Sequence, residues 1–200
     1  MRNHRPLLAV LTGLLLAASA GCFRSTEQAS FYMLEPLAGA GASPGTESAS
    51  RPIIGVGPVK LPGYLNRPQI ALAVGQGQIR IDEFRRWSEP LEENFTRVLA
   101  ENLRRLLPES EVVIYPWRRS VGVDVQLEVT VDVFHTTHAG KSLLDAQWAA
   151  TRGGKTELLK QSSQQLPADT SSPAGIVAAQ SEALAAFSRE VAASLRPLLP

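Results

Sequence analysis

Val121-Gly122-Val123-Asp124-Val125-Gln126-Leu127-Glu128-Val129-Thr130-Val131-Asp132-Val133 places a branched aliphatic residue at every second position, with mostly polar residues between. Side chains of an extended strand point alternately to opposite faces, so this stretch reads as a long strand with one buried and one wet face. Downstream, Leu143 to Thr151 and Lys155 to Gln164 flank Gly153-Gly154, the signature of a hairpin. Ser172-Pro173 then opens a helix whose apolar face is Ile176, Val177, Leu184, Phe187, Val191 and Leu195. Its remaining alanines suit close packing against a sheet or a second helix.

Upstream of the long strand the elements are shorter. Phe31 to Leu34 reads as a first strand closed by Pro36, and residues 37–51, rich in Gly, Ala, Ser and Thr, read as a mobile loop. Ile53 to Val59 is a second strand, apolar enough to lie inside a sheet. Ile70 to Val74 and Gln78 to Phe84 form a hairpin through Gly75-Gln76-Gly77. Ser88-Glu89-Pro90 opens a helix, with Ser88 as the expected N-cap. Leu91, Phe95, Val98, Leu99, Leu103, Leu106 and Leu107 recur at helical spacing, and Pro108 stops the run. Val112 to Tyr115 is a further short strand. The expected fold is therefore α/β, a single-domain sandwich of a mixed, largely antiparallel sheet packed with two main helices over residues 31–200.

The N-terminus supplies an address. Arg2, His4 and Arg5 precede an apolar run from Leu7 to Ala18, too short for a spanning helix of about 20 residues and suited to a signal peptide over residues 1–21. Ser19-Ala20-Gly21 leads into Cys22, the only cysteine, an arrangement that resembles a bacterial lipobox. Cys22 is thus the expected lipidation site and mature N-terminus, and residues 22–30 the lipidated tether. Phe23 stands where an aspartate favours inner-membrane retention in enterobacteria, so the expected location is the outer membrane, periplasmic face. Eight residues, 23–30, reach about 28 Å when extended, which holds the domain close to its membrane.

Removing residues 1–21 takes away Arg2 and Arg5 and no acid, leaving 18 basic residues against 19 acidic. A near-neutral chain lacks the basic stripe that nucleic-acid binding needs. One cysteine permits no intramolecular disulfide and no cysteine-based zinc cluster. No Gly-x-Ser-x-Gly, His-Glu-x-x-His or phosphate-loop pattern occurs. His135 and His138 make only two ligands, and Glu92 and Glu93 are helix neighbours pointing in different directions. No catalytic residue, metal or cofactor is expected beyond the covalent lipid on Cys22, and the chain is read as non-catalytic.

Aromatics, prolines and arginines instead cluster in three irregular places: Leu61 to Gln69, Arg85 to Pro90, and Tyr115 to Arg119. Rigid loops carrying aromatic and arginine side chains suit protein contacts. Tyr64, Arg67, Gln69, Trp87, Tyr115 and Trp117 are therefore the candidate partner-binding residues. The same aromatics equally suit capping the core, with the prolines fixing the turns.

These segments also carry a family resemblance. Gly55-Val56-Gly57-Pro58-Val59 followed by Leu61-Pro62-x-Tyr64-Leu65-x-Arg67-Pro68-Gln69-Ile70 resembles the signature of the PqiC/YmbA family of transport auxiliary lipoproteins. Arg86-Trp87-Ser88-Glu89-Pro90-Leu91, Ala100-Glu101-Asn102-Leu103 and Tyr115-Pro116-Trp117 follow in the family's order. Asn66 departs from it, standing where an acidic residue is expected. The resemblance implies an outer-membrane auxiliary or docking subunit of an intermembrane lipid-transport system that supports envelope integrity. Its partners would be a tunnel-forming protein with MCE domains and, in some systems, an inner-membrane ABC transporter. A homo-oligomer capping the tunnel is compatible with that role. Two other readings stand beside it: an envelope-assembly lipoprotein partnering an outer-membrane β-barrel, and a lipid-anchored hydrolase.

Overall fold

The structure, a computed structural model, describes residues 27–39, 51–118 and 120–199. The expected signal peptide, Cys22, the tether up to residue 26 and positions 40–50 of the expected loop lie outside the described residues. Eight strands and two helices follow one another: β1 (Ser30–Tyr32), β2 (Ile53–Lys60), β3 (Gln69–Gly75), β4 (Gln78–Trp87), α1 (Leu91–Leu106), β5 (Glu111–Ile114), β6 (Val125–Thr137), β7 (Lys141–Arg152), β8 (Lys155–Pro167) and α2 (Pro173–Leu195), with 3-10 turns at Gly63–Leu65 and Arg196–Leu198. All eight strands join one mixed sheet.

One side of the sheet is the antiparallel meander β6–β7–β8, with β8 at the edge and ladders that run nearly the full length of each strand. Gly153 and Gly154 both adopt positive φ, 55° and 80°, as the tight β7–β8 turn demands. The other edge of β6 is shared by two strands in succession. β2 runs parallel to its first half, and β3 pairs with Thr136 and Thr137 at its end. β5 extends the sheet beyond β2, while β4 and then β1 extend it beyond β3. The sheet is thus mixed, with most paired residues in the antiparallel ladders and the parallel pairings short.

The alternation in β6 buries Val125, Leu127, Val129 and Val131 while Glu128, Thr130 and Asp132 face solvent. The expected strand differs in two respects. Val121 and Val123 precede it, and Val133 is not on the core face. The pairing with β7 shifts between Val131 and Val133, so Asp132 is an extra residue opposite none. Such a bulge reverses the alternation, and Phe134 and Thr136 take the buried positions instead.

Both helices cover the buried face. The α1 stripe of Leu91, Phe95, Val98, Leu99 and Leu103 is wholly buried, with the Phe95 ring edge-on to Phe134 at 5.2 Å. In α2, Ala183, Ala185 and Ala192 join Leu184, Phe187 and Val191 in the interior, since small side chains let the helix approach β7, β8 and α1 closely. Ser172 caps α2 by accepting from Gly175 N at 3.1 Å. The α1 cap differs from expectation: Pro90, not Ser88, occupies that position and no side chain caps it. A proline disfavours helical backbone in the residue before it, so Glu89 cannot begin the helix. Ser88 N donates instead to Tyr32 O, at 2.9 Å.

The chain after β1 is strapped over the helical layer. Leu34 inserts into the core, and its N–H donates to Asn94 Oδ1 at 2.7 Å. Glu35 N donates to Ser181 Oγ and Leu37 N to Asn102 Oδ1, at 3.0 and 2.8 Å. Asn94 and Asn102 are fully buried. Burying an amide is costly unless it is hydrogen-bonded, and each of the two satisfies this by holding the strap. Asn102 also reaches Ser188 of α2 at 3.0 Å, joining both helices to the strap.

Candidate functional site

Between the end of β2 and the start of β3, residues 61–68 leave the sheet, and β6 loses its neighbour opposite Phe134. Tyr64 fills that gap. Its hydroxyl accepts the Phe134 N–H at 3.2 Å and lies 2.9 Å from His135 Nδ1, with the two rings edge-on at 5.9 Å. Burial pushes the His135 imidazole below its usual value and the Tyr64 phenol above its own. A neutral imidazole can accept the tyrosine proton at Nδ1, so one hydroxyl completes the ladder and orients the ring. Tyr64 therefore works inside the fold, as a substitute for a missing strand carbonyl.

The same excursion brings the irregular segments together. Trp87 N donates to Pro68 O at 2.6 Å, tying the 61–68 segment to the end of β4. Leu61 N donates to Glu92 Oε2 at 3.1 Å, tying its start to the first turn of α1. Between these ties opens a groove of about 650 Å3. Its apolar lining comes from Leu61, Pro62, Leu65, Pro68, Trp87 and Leu91, and its polar rim from Arg67, Glu89, Glu92 and Glu93. Arg67 is held across the rim by its Nε bond to Tyr64 O at 2.8 Å. Glu89 accepts from Asn94 at 2.5 Å and from Arg97, and the Arg97 guanidinium holds its carboxyl below the usual carboxylate range. Glu93 makes no ion pair among the described residues.

A second hollow of about 240 Å3 lies on the other side of the same helical turn. It is lined by Val56 to Val59, Thr96, Arg97, Ile114 and Tyr115, and it shares Glu92 and Glu93 with the first. The start of α1 therefore forms a ridge between two depressions.

Of the six predicted side chains, Arg67 and Trp87 line the larger groove and Tyr115 the smaller. Trp87 is nonetheless 5% exposed, a core side chain with one edge at the groove floor. Gln69 bonds Glu83 on the exposed side of β4 at 2.9 Å, away from both. Trp117 lies over the strand β2: a methyl on Gly55 would sit 2.7 Å from its Cη2 atom. Tyr115, edge-on to Trp117 at 5.5 Å, approaches Gly57 through its Cβ, which would stand 2.8 Å from an added methyl. Glycines within a strand mark such close approaches, so Gly55 and Gly57 seat the Tyr115–Trp117 pair. Sequence reasoning passed over Glu92 and Glu93, because their different directions rule out a catalytic pair but suit a ridge that faces two hollows.

Among the described residues no group of three or more His, Cys, Asp or Glu side chains could hold a metal, and no helix is long and apolar enough to cross a membrane. A family model described as the ABC-type transport auxiliary lipoprotein component matches residues 32–192. No curated protein matches the chain. A solved structure described only as an uncharacterized protein shares 21% identity, covering 84% of this chain and 99% of that one, with a TM-score of 0.70. A Xanthomonas campestris protein of family DUF330 shares 14% identity over 84% of this chain and 96% of its own, with a TM-score of 0.64. Both likenesses show the fold.

Proposed function

The chain belongs to the ABC-type transport auxiliary lipoprotein family, and on that premise we propose that it is an outer-membrane docking subunit of an MCE-type intermembrane lipid-transport system. It is anchored by lipid on Cys22, performs no catalysis, and holds a tunnel-forming MCE-domain partner at the inner face of the outer membrane.

One observation carries this reading. Three sequence segments far apart in the chain, 61–68, 87–93 and 115, are gathered around a single helical turn to make two adjoining hollows. Their backbone is stiffened by Pro58, Pro62, Pro68 and Pro90, so little order remains to be imposed on binding. An apolar floor with a mainly acidic rim suits a partner segment that carries apolar anchors and positive charge. The groove also opens where the N-terminal strand ends, since Tyr32 O accepts from Ser88 N. A partner seated there is held close to the anchoring membrane.

The test is photocrosslinking of the lipidated chain in its native envelope, with the photoreactive side chain at Arg67 or Glu93 and, as control, at Leu159 on the outer edge of the sheet. Capture of an MCE-domain protein from the first two positions and not the third is the expected result. Capture of an outer-membrane barrel without any MCE protein would replace this reading with a role in envelope assembly.

A further inference from the structure

Phe31 and Met33 are 64% and 51% exposed, in a chain whose other exposed large hydrophobics are, among the described residues, only Tyr115 and Leu159. They alternate with Tyr32, which packs against the core, and Leu34, which is buried in it. In an extended chain such residues project together on one side, about 7 Å apart. Phe31 pairs with Arg86 across the parallel β1–β4 ladder, which sets the half-exposed Arg86 guanidinium on the same side as the ring. The result is a small apolar pair beside the Arg86 guanidinium and the Glu83 carboxylate it pairs with at 3.5 Å, on the outermost strand of this wing of the sheet.

The covalent path decides what meets it. Glu27 lies against the domain, its carboxylate 3.5 Å from the Arg85 guanidinium. Only residues 23–26 separate it from Cys22, a reach of about 17 Å over the five steps at full extension. Acyl chains on Cys22 therefore bring the bilayer surface to this edge. We propose that Phe31 and Met33 insert into the phospholipid surface that holds the Cys22 acyl chains, with Arg86 among the phosphates, and so fix the orientation of the domain on its membrane. The inference rests on lipidation of Cys22, and it goes beyond anchoring: the lipid supplies attachment, while the strand edge supplies direction. Paired aromatic and aliphatic side chains flanked by arginine are the chemistry of an interfacial contact.

Because acylation consumes the only native thiol, Met33→Cys introduces a unique labelling site, and Leu159→Cys, at a still more exposed position, provides the control. Each lipidated full-length variant is labelled with a polarity-sensitive nitrobenzoxadiazole dye and reconstituted into vesicles of phosphatidylethanolamine and phosphatidylglycerol. The label at position 33 is expected to shift to the blue and to be quenched several-fold more by nitroxide-bearing lipids than the label at 159. Equal quenching at both positions, in protein that floats with the vesicles, overturns the proposal and leaves the anchor intact. A blue shift at 33 that grows with protein density and ignores the lipid quencher also overturns it, assigning the edge to a second copy. A chain whose N-terminal peptide lacks the acyl mass and which fails to float overturns the anchor and the proposal together.

Discussion

Replacing Gly55 by alanine tests whether Trp117 belongs to the fold. The added methyl would stand 2.7 and 2.8 Å from two ring carbons of Trp117 and 3.0 Å from Val123 Cγ1. Carbon atoms rest at about 3.5–4.0 Å, so the indole must retreat by nearly 1 Å. It is a rigid plate and cannot yield by rotating one terminal bond. Overpacking of this kind costs about 1–3 kcal/mol. Alanine at an extended position recovers about 0.5–1 kcal/mol of backbone entropy, leaving a net loss of about 0–2.5 kcal/mol. In a Trp117→Ala background the obstacle is gone, and only the Val123 methyl remains to be moved. There Gly55→Ala is expected to be neutral or slightly stabilising. Urea unfolding followed by far-ultraviolet circular dichroism measures all four corners of the cycle, since tryptophan fluorescence would itself change with Trp117. An equal loss in both backgrounds, with a coupling below about 0.5 kcal/mol, would refute the seating of the ring on the strand.

Three further outcomes are expected, two from the geometry and one from the sequence. Asn102→Ala leaves the partly buried Leu37 N–H without its partner, removes the buried bond to Ser188, and is expected to cost about 1–3 kcal/mol; at about 2–4 °C per kcal/mol for a chain of this size, a thermal melt resolves it, with faster proteolysis before Leu37 as the local sign. His135 is held neutral by burial, so below about pH 6.5 the unfolded chain binds the proton more readily and stability falls as pH drops. His135→Gln should flatten that part of the urea midpoint against pH between 7.5 and 5.5, as flagged by the imidazole's ordinary value of about 6.5; an unchanged slope would remove the histidine from the account. Cys22→Ser is expected to shift the chain from the membrane pellet to the soluble fraction, and retention in the pellet would point to another anchor.

Much of the fold was legible because its governing signals are local. The period of two from Val125 to Val131 and the α1 stripe of Leu91, Phe95 and Leu99 were each sufficient alone. What was hidden depends on distant partners. The bulge at Asp132 is defined by the register with Ala146 and Asp145 on another strand, and nothing in the local alternation announces it. The cap at Ser88 could have been doubted from sequence, since Pro90 restrains Glu89. At the candidate site, the three irregular segments were visible by composition, but their convergence was not. Tyr64 illustrates the difficulty: an aromatic beside an arginine in a proline-rich loop looks like a contact residue, yet its hydroxyl is spent on Phe134, 70 positions away.

The strap over the helices also sets an order of events. The bond from Glu35 to Ser181 closes a loop of 146 residues, and Leu37 is held by Asn102, which itself leans on Ser188. Ser181 and Ser188 do not exist until the last helix has been synthesised, so the strap is completed only when α2 packs. Long loops close late, so the first residues of the domain remain extended while the rest of the chain emerges behind them. Once α2 seats, Leu34 is drawn into the core and the slack disappears.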